Sequence, residues 1–558
     1  MGEVGRFFGS IIGTSLHAVG SAVHGLITGS RAVVEVAVDR RSSAQDRVRL
    51  IERLERLGHD PRVAAVLLDV RDSPGNWAAV HDLRLCIGRI RAAGTPVYAS
   101  VDVPTNATYW LASAAERVFV PPTTEVNLVG LGVEVTFFGS LLKRVGIETD
   151  FEAAGTYKSA AEPFARSFPS PDNHEALSAL VGDLQALLAA EVADARELSV
   201  ESVQSAMAEA PLPAERALEL GLVDQLAYRD EVRSWLQSTH EGAKFVDFAG
   251  WARRDKVLAQ LEGLGQAEGT LAILHLEGNI VSDDASGSDM IRSRTAVPLL
   301  RQLSEDDSVA AVVLHVNSPG GSAVASDLIW REVDQLRSTK PVVACFEDVS
   351  ASGGVYLSAP CSEIVARPGS LTGSIGVVGG KLVVGEGLRK LGVHSQSIEA
   401  APQATVFSNT RRFTPDQRER FRASLTRFYD AFVNRVADGR NRDPVEIEPH
   451  CRGRVWTGRA AVERGLVDRV GDFNVAIERA TALAGLTGRP VARRHLSSTV
   501  QNPLQRLVQQ AARSALPGAA QLAGMAEAQT GEALALTRFW GTHAAQPLAW
   551  LPWRLRLR

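Results

Sequence analysis

Short apolar runs bounded by turn residues alternate along the chain with stretches of helical periodicity. Val63–Val70 and Val309–Val316 are almost continuously apolar, which is typical of strands buried on both faces of a parallel sheet. Ser170 and Thr414 each precede a proline, and apolar residues then recur at helical spacing, so the pattern predicts two long capped helices. The alternation of strands and helices predicts an α/β fold.

The predicted elements occur twice in the same order, which indicates an internal duplication. Beyond the two apolar strands, Leu141–Gly146 matches Gly387–Gly392, and Ala217–Asp224 matches Ala461–Asp468. The chain has 558 residues, of which 45% are hydrophobic, so it is long enough to form two cores. We therefore expect a tandem repeat, with residues 31–265 forming the first unit and residues 266–490 the second.

The two ends of the chain differ from the repeats. Phe7–Ser30 contains no charged residue and is long enough to cross a bilayer, so residues 1–30 are predicted to associate with a bacterial cytoplasmic membrane. An amphipathic or poorly ordered leader on a soluble protein is the alternative. Residues 491–558 are rich in Ala and Gln and end in Trp and Arg residues, which suits a helical tail at a membrane interface or subunit contact. A loosely packed terminal helix is the alternative.

Composition argues against several classes of function. The net charge is −4 and no block of like charges occurs, so nucleic acid is not an expected partner. The four cysteines lack C-x-x-C spacing, and the twelve histidines form no H-E-x-x-H pattern. We therefore predict neither a metal site nor a cofactor.

A candidate nucleophile follows an apolar strand of the second repeat. Pro341–Phe346 leads to Ser352-Gly353-Gly354, where a helix is predicted to begin. A serine at a strand-to-helix turn is expected to face solvent, and a following glycine lets the backbone N–H approach a substrate carbonyl. The first repeat has Asn106-Ala-Thr at the matching place, which suggests that the chemistry belongs to the second repeat.

A second glycine turn follows the preceding strand of the same repeat. Gly320-Gly321 comes directly after Asn317-Ser-Pro, and backbone amides at such a turn can bind the oxyanion of a tetrahedral intermediate. We expect the amides of Gly321 and Gly353 to form this oxyanion hole. His315 is the general-base candidate nearest in sequence, but it lies within an apolar strand and is predicted to be a core histidine.

Four motifs in order resemble the signal peptide peptidase A (SppA) family of serine peptidases, in its long, duplicated bacterial form. They are Gly155–Phe164 (G-T-Y-K-S-A-A-E-P-F), Val316–Ser322 (V-N-S-P-G-G-S), Ser350–Gly354 (S-A-S-G-G) and Leu371–Gly376 (L-T-G-S-I-G). The resemblance covers roughly residues 50 to 480. It implies a crotonase-like, Clp-protease-like fold for each repeat and assembly into a homo-oligomer, with a tetramer as one expected size.

The resemblance also implies a role for individual residues. The serine of the S-G-G motif, Ser352, would be the nucleophile, and the lysine of the G-T-Y-K-S-A motif, Lys158, would be the general base of a Ser-Lys dyad. Ser374 would hydrogen-bond the lysine. A lysine needs an apolar neighbourhood to accept a proton at neutral pH, and Ala160 and Ala161 provide part of one.

The function implied is that of a serine endopeptidase that cleaves signal-peptide remnants and other short unfolded peptides, with no cofactor. Two alternatives remain at this point. A crotonase-type acyl-CoA enzyme would use the same pair of amides but would not need Ser352. A non-catalytic, membrane-associated scaffold would assemble without hydrolysing any peptide.

Overall fold

The structure is a computed structural model that describes residues 31–39, 44–262, 267–282, 290–498 and 548–550. Residues 1–30, for which the sequence predicts membrane association, lie outside the described residues, as does most of the predicted C-terminal tail. Both predicted repeats are largely described.

The first half of the chain alternates strands and helices. Its strands are β1 (Ala32–Val38), β2 (Val63–Val70), β3 (Val97–Val101), β4 (Arg117–Val120), β5 (Glu125–Val126), β6 (Glu148–Ala154), β7 (Leu212–Pro213), β8 (Gln225–Leu226) and β9 (Lys244–Asp247). Its helices are α1 (Ala44–Gly58), α2 (Trp77–Ala92), α3 (Asn106–Ala112), α4 (Gly139–Arg144), α5 (Glu162–Ala165), α6 (Pro171–Arg196), α7 (Val200–Glu209), α8 (Ala214–Glu219), α9 (Arg229–Thr239) and α10 (Phe248–Glu262).

The second half repeats the alternation. Its strands are β10 (Gly269–Glu277), β11 (Asn279–Val281), β12 (Met290–Arg292), β13 (Val309–Ser318), β14 (Gly320–Ser322), β15 (Val342–Ala351), β16 (Glu363–Ala366), β17 (Leu371–Gly373), β18 (Val377–Val383), β19 (Val455–Thr457), β20 (Arg469–Val470), β21 (Val491–Ser497) and β22 (Leu548–Trp550). Its helices are α11 (Ser293–Glu305), α12 (Ala323–Thr339), α13 (Gly353–Ser358), α14 (Gly385–Lys390), α15 (Pro415–Gly439), α16 (Pro444–Ile447), α17 (Gly458–Glu463) and α18 (Phe473–Leu483).

The two halves build sheets with the same strand order. The first sheet has the order β9-β1-β2-β3-β4-β8, and the second contains the matching order β21-β10-β13-β15-β16-β20. Neighbouring strands in both of these series are parallel. The second sheet also carries β17, parallel to β15, and β19, antiparallel to β17. The predicted α/β fold with two tandem repeats is confirmed.

Strand β21 corrects the predicted start of the C-terminal tail. It runs parallel to β10 as β9 runs parallel to β1, so residues 491–497 complete the second sheet and are not helical. The sequence pattern concealed this strand because it lies at the edge of the sheet and its residues are only partly buried. An edge strand therefore lacks the continuous apolar run by which the central strands were recognised.

A third sheet joins the two halves. Its order is β12-β11-β14-β22-β18-β6, in which β6 from the first half pairs antiparallel with β18 from the second. Strand β22 lies between β14 and β18 and is antiparallel to both. Because β6 leads into the segment that contains Lys158, and β14 contains Gly321, this sheet brings the predicted site residues of both halves to one place.

Buried polar contacts also connect the halves. The guanidinium of Arg367 is completely buried and donates a hydrogen bond from Nε to Asp82 Oδ1 on α2 at 2.9 Å. The Ala78 N–H, at the start of the same helix, donates to Asp348 Oδ1 at 2.6 Å. A buried charge that loses its partner is costly, so this ion pair fixes how α2 packs against the second sheet.

Helix α6 is long and apolar enough to span a membrane by length and composition, and no other helix in the described ranges meets that test. Its leucines nevertheless pack into the core of the first unit, among them Leu180, Leu184 and Leu188. Ser170 caps the helix by accepting a hydrogen bond from the Asn173 N–H, as the sequence predicts. The packing identifies α6 as a core helix.

Candidate active site

Ser352 lies at the turn between β15 and α13, as predicted. Its backbone has φ 55° and ψ −113°, a conformation that residues other than glycine seldom adopt, and its N–H donates to the Gly373 carbonyl at 2.8 Å. The expectation that this serine faces solvent is wrong, because Ser352 is 0% exposed. Lys158 and residues of the second unit enclose it, a packing that local sequence does not reveal.

Lys158 reaches Ser352 from the first half of the chain. It follows β6, 194 positions before the serine, and its Nζ lies 2.8 Å from Ser352 Oγ. The same Nζ donates hydrogen bonds to the carbonyl oxygen of Ser374 at 2.8 Å and to Ser374 Oγ at 2.9 Å. The structure thus brings together the three side chains that the sequence analysis singled out, Ser352, Lys158 and Ser374.

Burial alone lowers the pKa of Lys158 well below its ordinary value of 10.5. Ala160, Ala161 and Phe164 from the first half cluster with Val281 and Val378 from the second, beside the lysine segment. A neutral amine has two N–H groups and one lone pair. With the N–H groups directed to the two Ser374 oxygens, the lone pair is free to accept the Ser352 hydroxyl proton.

The two glycine turns expected to supply backbone amides lie against each other. A Cβ on Gly353 would come within 3.1 Å of Gly320 Cα and 2.6 Å of Ser326 Oγ. A Cβ on Gly321, whose φ is 157°, would lie 1.9 Å from the carbonyl oxygen of Ile280. Both positions therefore require glycine for close approach, and β14 runs directly beside the start of α13.

His315 does not contact the serine. It is buried in β13, and its Nδ1 lies 3.2 Å from Nδ1 of His275. The other ring nitrogen of His275, Nε2, lies 3.1 Å from Nδ1 of His495. Burial lowers the pKa of His315 well below its ordinary value. The prediction that His315 is a core histidine is confirmed.

A loop at the junction of the two halves was not predicted from the sequence. Residues Arg452–Arg454, which we call the clasp segment, precede β19. The Tyr157 N–H donates to the Arg452 carbonyl at 2.8 Å, and the Ser374 N–H donates to the Arg454 carbonyl at 2.6 Å. No local motif marks this segment, because its partners lie far away along the chain.

The gap between β14 and β18 contains β22, which the sequence analysis also missed. Ala549 is the register partner of Gly321, and Leu548 is that of Val378. The backbone of residues 548–550 therefore runs antiparallel beside one of the glycines predicted to bind the oxyanion. The register shows that an extended peptide segment fits at this position.

Within the described ranges, no group of three or more His, Cys, Asp or Glu side chains is placed to hold a metal ion. All four cysteines are buried with free thiols, and burial raises the pKa of Cys345 and of Cys361 to about 12. These thiols fit the predicted role of small core residues.

The fold and the buried contact between a lysine and a serine at a strand-to-helix turn define the class, a serine peptidase built from tandem α/β units. Comparison with known sequences gives the family. The model of Peptidase family S49 matches residues 89–243 and 334–487, which together make up more than half of the chain. The chain therefore belongs to peptidase family S49.

Two curated relatives are similar over most of the chain. It is 31% identical over 444 residues to Serine protease SPPA, chloroplastic, of Arabidopsis thaliana, a match that covers 78% of this chain and 65% of the plant protein. It is 30% identical over 456 residues to Protease 4 of Salmonella typhi, covering 78% of this chain and 72% of that protein. The chain thus spans slightly less than two thirds of the plant relative.

Among solved structures, a variant of 1510-N membrane-bound stomatin-specific protease matches with 18% identity and a TM-score of 0.27. The match covers 41% of this chain and 98% of that protein. The fold assignment rests on the repeated strand order and the family match.

Proposed function

We propose that this chain is a serine endopeptidase in which Ser352 is the nucleophile and Lys158 the general base. The observation that carries the proposal is the distance of 2.8 Å between Lys158 Nζ and Ser352 Oγ, at a lysine that burial favours in its neutral form. A nucleophile within hydrogen-bonding distance of a neutral base is the arrangement that covalent catalysis requires.

The proposed reaction starts when Lys158 Nζ takes the Ser352 hydroxyl proton and Oγ bonds to the carbonyl carbon of the scissile peptide. The carbonyl oxygen becomes an oxyanion, which the amides of Gly321 and Gly353 stabilise. The C–N bond then breaks, and the Lys158 ammonium donates its proton to the departing amine. An acyl-enzyme on Ser352 remains.

Hydrolysis of the acyl-enzyme uses the same base. Lys158, neutral again, removes a proton from water as the water oxygen attacks the ester carbon. The tetrahedral intermediate collapses, the Ser352 oxygen leaves and regains a proton from Lys158, and the carboxylic acid product is released. All proton transfers occur at Nζ, so the reaction needs no metal or other cofactor.

The proposed substrates are short, unfolded peptides such as signal-peptide remnants, with small or apolar side chains near the cut. The resemblance to the signal peptide peptidase A family supports this class, and the strand position between β14 and β18 suits an extended peptide. A peptide added there would form backbone hydrogen bonds irrespective of its sequence, so specificity would come from alternate side chains.

Assembly and localisation belong to the same proposal. The family resemblance supports a homo-oligomer, and the uncharged run in residues 1–30 supports association with the cytoplasmic membrane. Light scattering of the purified chain in detergent, and fractionation of cells expressing the chain with and without residues 1–30, test these two points. A monomer that remains in the soluble fraction would contradict both.

Hydrolysis of short fluorogenic peptides by the wild type, Ser352→Ala and Lys158→Ala tests the proposed function, with assembly of all three checked first. Both variants are expected to lose nearly all turnover. Full activity in Ser352→Ala would exclude the nucleophile, and dependence on a coenzyme A thioester would favour the acyl-CoA alternative. Absence of hydrolysis in a correctly assembled wild type would favour the scaffold.

A further inference from the structure

The clasp segment, Arg452–Arg454, contacts Lys158 more closely than any side chain would allow. Gly453 has φ 81°, in the left-handed region that favours glycine. A Cβ at this position would lie 2.5 Å from Lys158 N, 2.7 Å from its Cα and 2.7 Å from its Cβ. Two backbone segments from different halves of the chain therefore meet at the position where a side chain is absent.

The clasp segment also holds the strand that carries Ser374. The Gly453 N–H donates to the Ile375 carbonyl at 2.7 Å, next to the bond from the Ser374 N–H to the Arg454 carbonyl. Gly376 packs so closely that a Cβ on it would lie 2.9 Å from Gly453 Cα. One tripeptide thus bonds to the lysine segment on one side and to the Ser374 segment on the other.

The Arg454 side chain fixes the clasp segment to the first half. Its guanidinium makes two contacts of 2.7 Å with the carboxylate of Glu175 on α6. It also lies 4.9 Å from the ring centre of Tyr157 and 4.5 Å from that of Trp456. A bidentate ion pair and contacts with two aromatic rings together restrict the position of the guanidinium more than a single contact would.

We propose that Gly453 is a positioning residue, whose missing side chain lets the clasp segment hold Lys158 Nζ at hydrogen-bonding distance from both Ser352 and Ser374. The inference rests on the proposed function but concerns the loop, not the dyad itself. Gly453 contacts no reacting atom. It acts through Lys158, by setting how closely the first half approaches the second.

A side chain at position 453 would displace the segment that carries Lys158. The three clashing atoms belong to the backbone and Cβ of Lys158, which cannot move aside as the end of a flexible side chain can. The lysine segment must retreat, which lengthens the Nζ to Oγ contact and admits water to the amine. A misplacement of about 1 Å costs on the order of 100-fold in rate, and water restores part of the lysine's ordinary basicity.

The first experiment measures peptide hydrolysis by Gly453→Ala from pH 6 to pH 10. We expect kcat to fall on the order of 100-fold with little change in KM, and the acidic limb of the kcat profile to move to higher pH. Gly485→Ala is the matched control, since Gly485 has φ 69° and a Cβ there would meet nothing within 4 Å. Wild-type kcat and an unmoved profile in Gly453→Ala would overturn the proposal.

A second variant covers the case in which Gly453→Ala does not fold. Arg454→Gln removes the ion pair with Glu175 and inserts no atom beside Lys158. We expect a smaller fall in kcat, about tenfold, with the same shift of the acidic limb to higher pH. Arg216→Gln, which removes a similar two-contact pair with Glu209, is the control and should behave as the wild type. An Arg454→Gln profile that matches the control would overturn the proposal.

A readout without substrate separates this inference from the proposed function. Competitive acetylation with acetic anhydride, followed by mass spectrometry, measures the titration of Lys158 directly. The wild type should label with a midpoint well below 10.5, and Gly453→Ala should label with a higher midpoint. This result would support the positioning role even if no peptide were cleaved, whereas equal midpoints in the two proteins would refute it.

Discussion

Ser374→Ala perturbs one hydrogen bond of the dyad and leaves another in place. The hydroxyl of Ser374 accepts from Lys158 Nζ at 2.9 Å, while the backbone carbonyl of the same residue accepts at 2.8 Å and is retained by alanine. The net stabilisation from a hydrogen bond is about 1 kcal/mol when the donor is neutral and about 2 kcal/mol when the donor is charged. The lysine is neutral before proton transfer and charged after it, so the difference of about 1 kcal/mol predicts about a fivefold fall in kcat.

The same variant predicts the direction of the pH effect. An acceptor beside Nζ favours the charged ammonium, so removing it lowers the pKa of Lys158 further below its ordinary value. The acidic limb of the kcat profile should therefore move to lower pH, opposite to the shift expected for Gly453→Ala. The two variants then distinguish loss of a hydrogen bond from entry of water.

The assay is kcat for a fluorogenic peptide across pH 5 to 10. Ser358→Ala is a matched control, because the Ser358 hydroxyl is buried and has no hydrogen-bond partner among the described residues. It should retain wild-type kinetics. Unchanged kcat in Ser374→Ala, or a loss of kcat with the acidic limb moved to higher pH, would show that the Ser374 hydroxyl does not stabilise the Lys158 ammonium.

Three further predictions concern stability and access. Between the lowered pKa of Lys158 and 10.5 the unfolded chain binds one more proton than the folded chain, so the stability of the wild type rises with pH in that range. Because methionine does not titrate, Lys158→Met should be the more stable protein at pH 7 in urea denaturation, by a margin that shrinks toward pH 10.5. A constant margin would contradict this, because it would mean that the lysine of the folded protein is charged. Asp82→Ala leaves Arg367 buried without its partner and should lower the free energy of unfolding by about 3–5 kcal/mol, whereas an unmoved urea midpoint would contradict this. Deleting residues 548–558 should lower KM for peptide substrates, because it removes the strand from the gap between β14 and β18. A synthetic peptide of residues 543–558 should then inhibit the truncated protein competitively. An unchanged KM would contradict this.

The sequence predicted the repeated architecture because buried parallel strands and capped helices leave local patterns. Val63–Val70 and Val309–Val316 became equivalent strands, and the helices after Ser170 and Thr414 begin at their caps. Lys158 and Ser352 were paired only through the family resemblance. Nothing in the spacing of the two residues indicates that β6 pairs with a strand of the other half.

The features that were missed depend on contacts between distant segments. Ser352 is fully buried because the first half closes over it, although its own turn is typical of an exposed nucleophile. Gly453 lies between two arginines in a loop, and its importance appears only when a Cβ is placed beside Lys158. Strand β21 is recognised by its partner β10, since an edge strand carries a weak apolar pattern.

Identification of the acylated residue shows whether Ser352 is the nucleophile. The wild type is mixed with an activated peptide ester, quenched in acid within one turnover and digested for mass spectrometry. We expect an acyl group on Ser352 in the wild type and no acyl group at that residue in Lys158→Met. An acyl group on another residue, or turnover without any covalent intermediate, would contradict this.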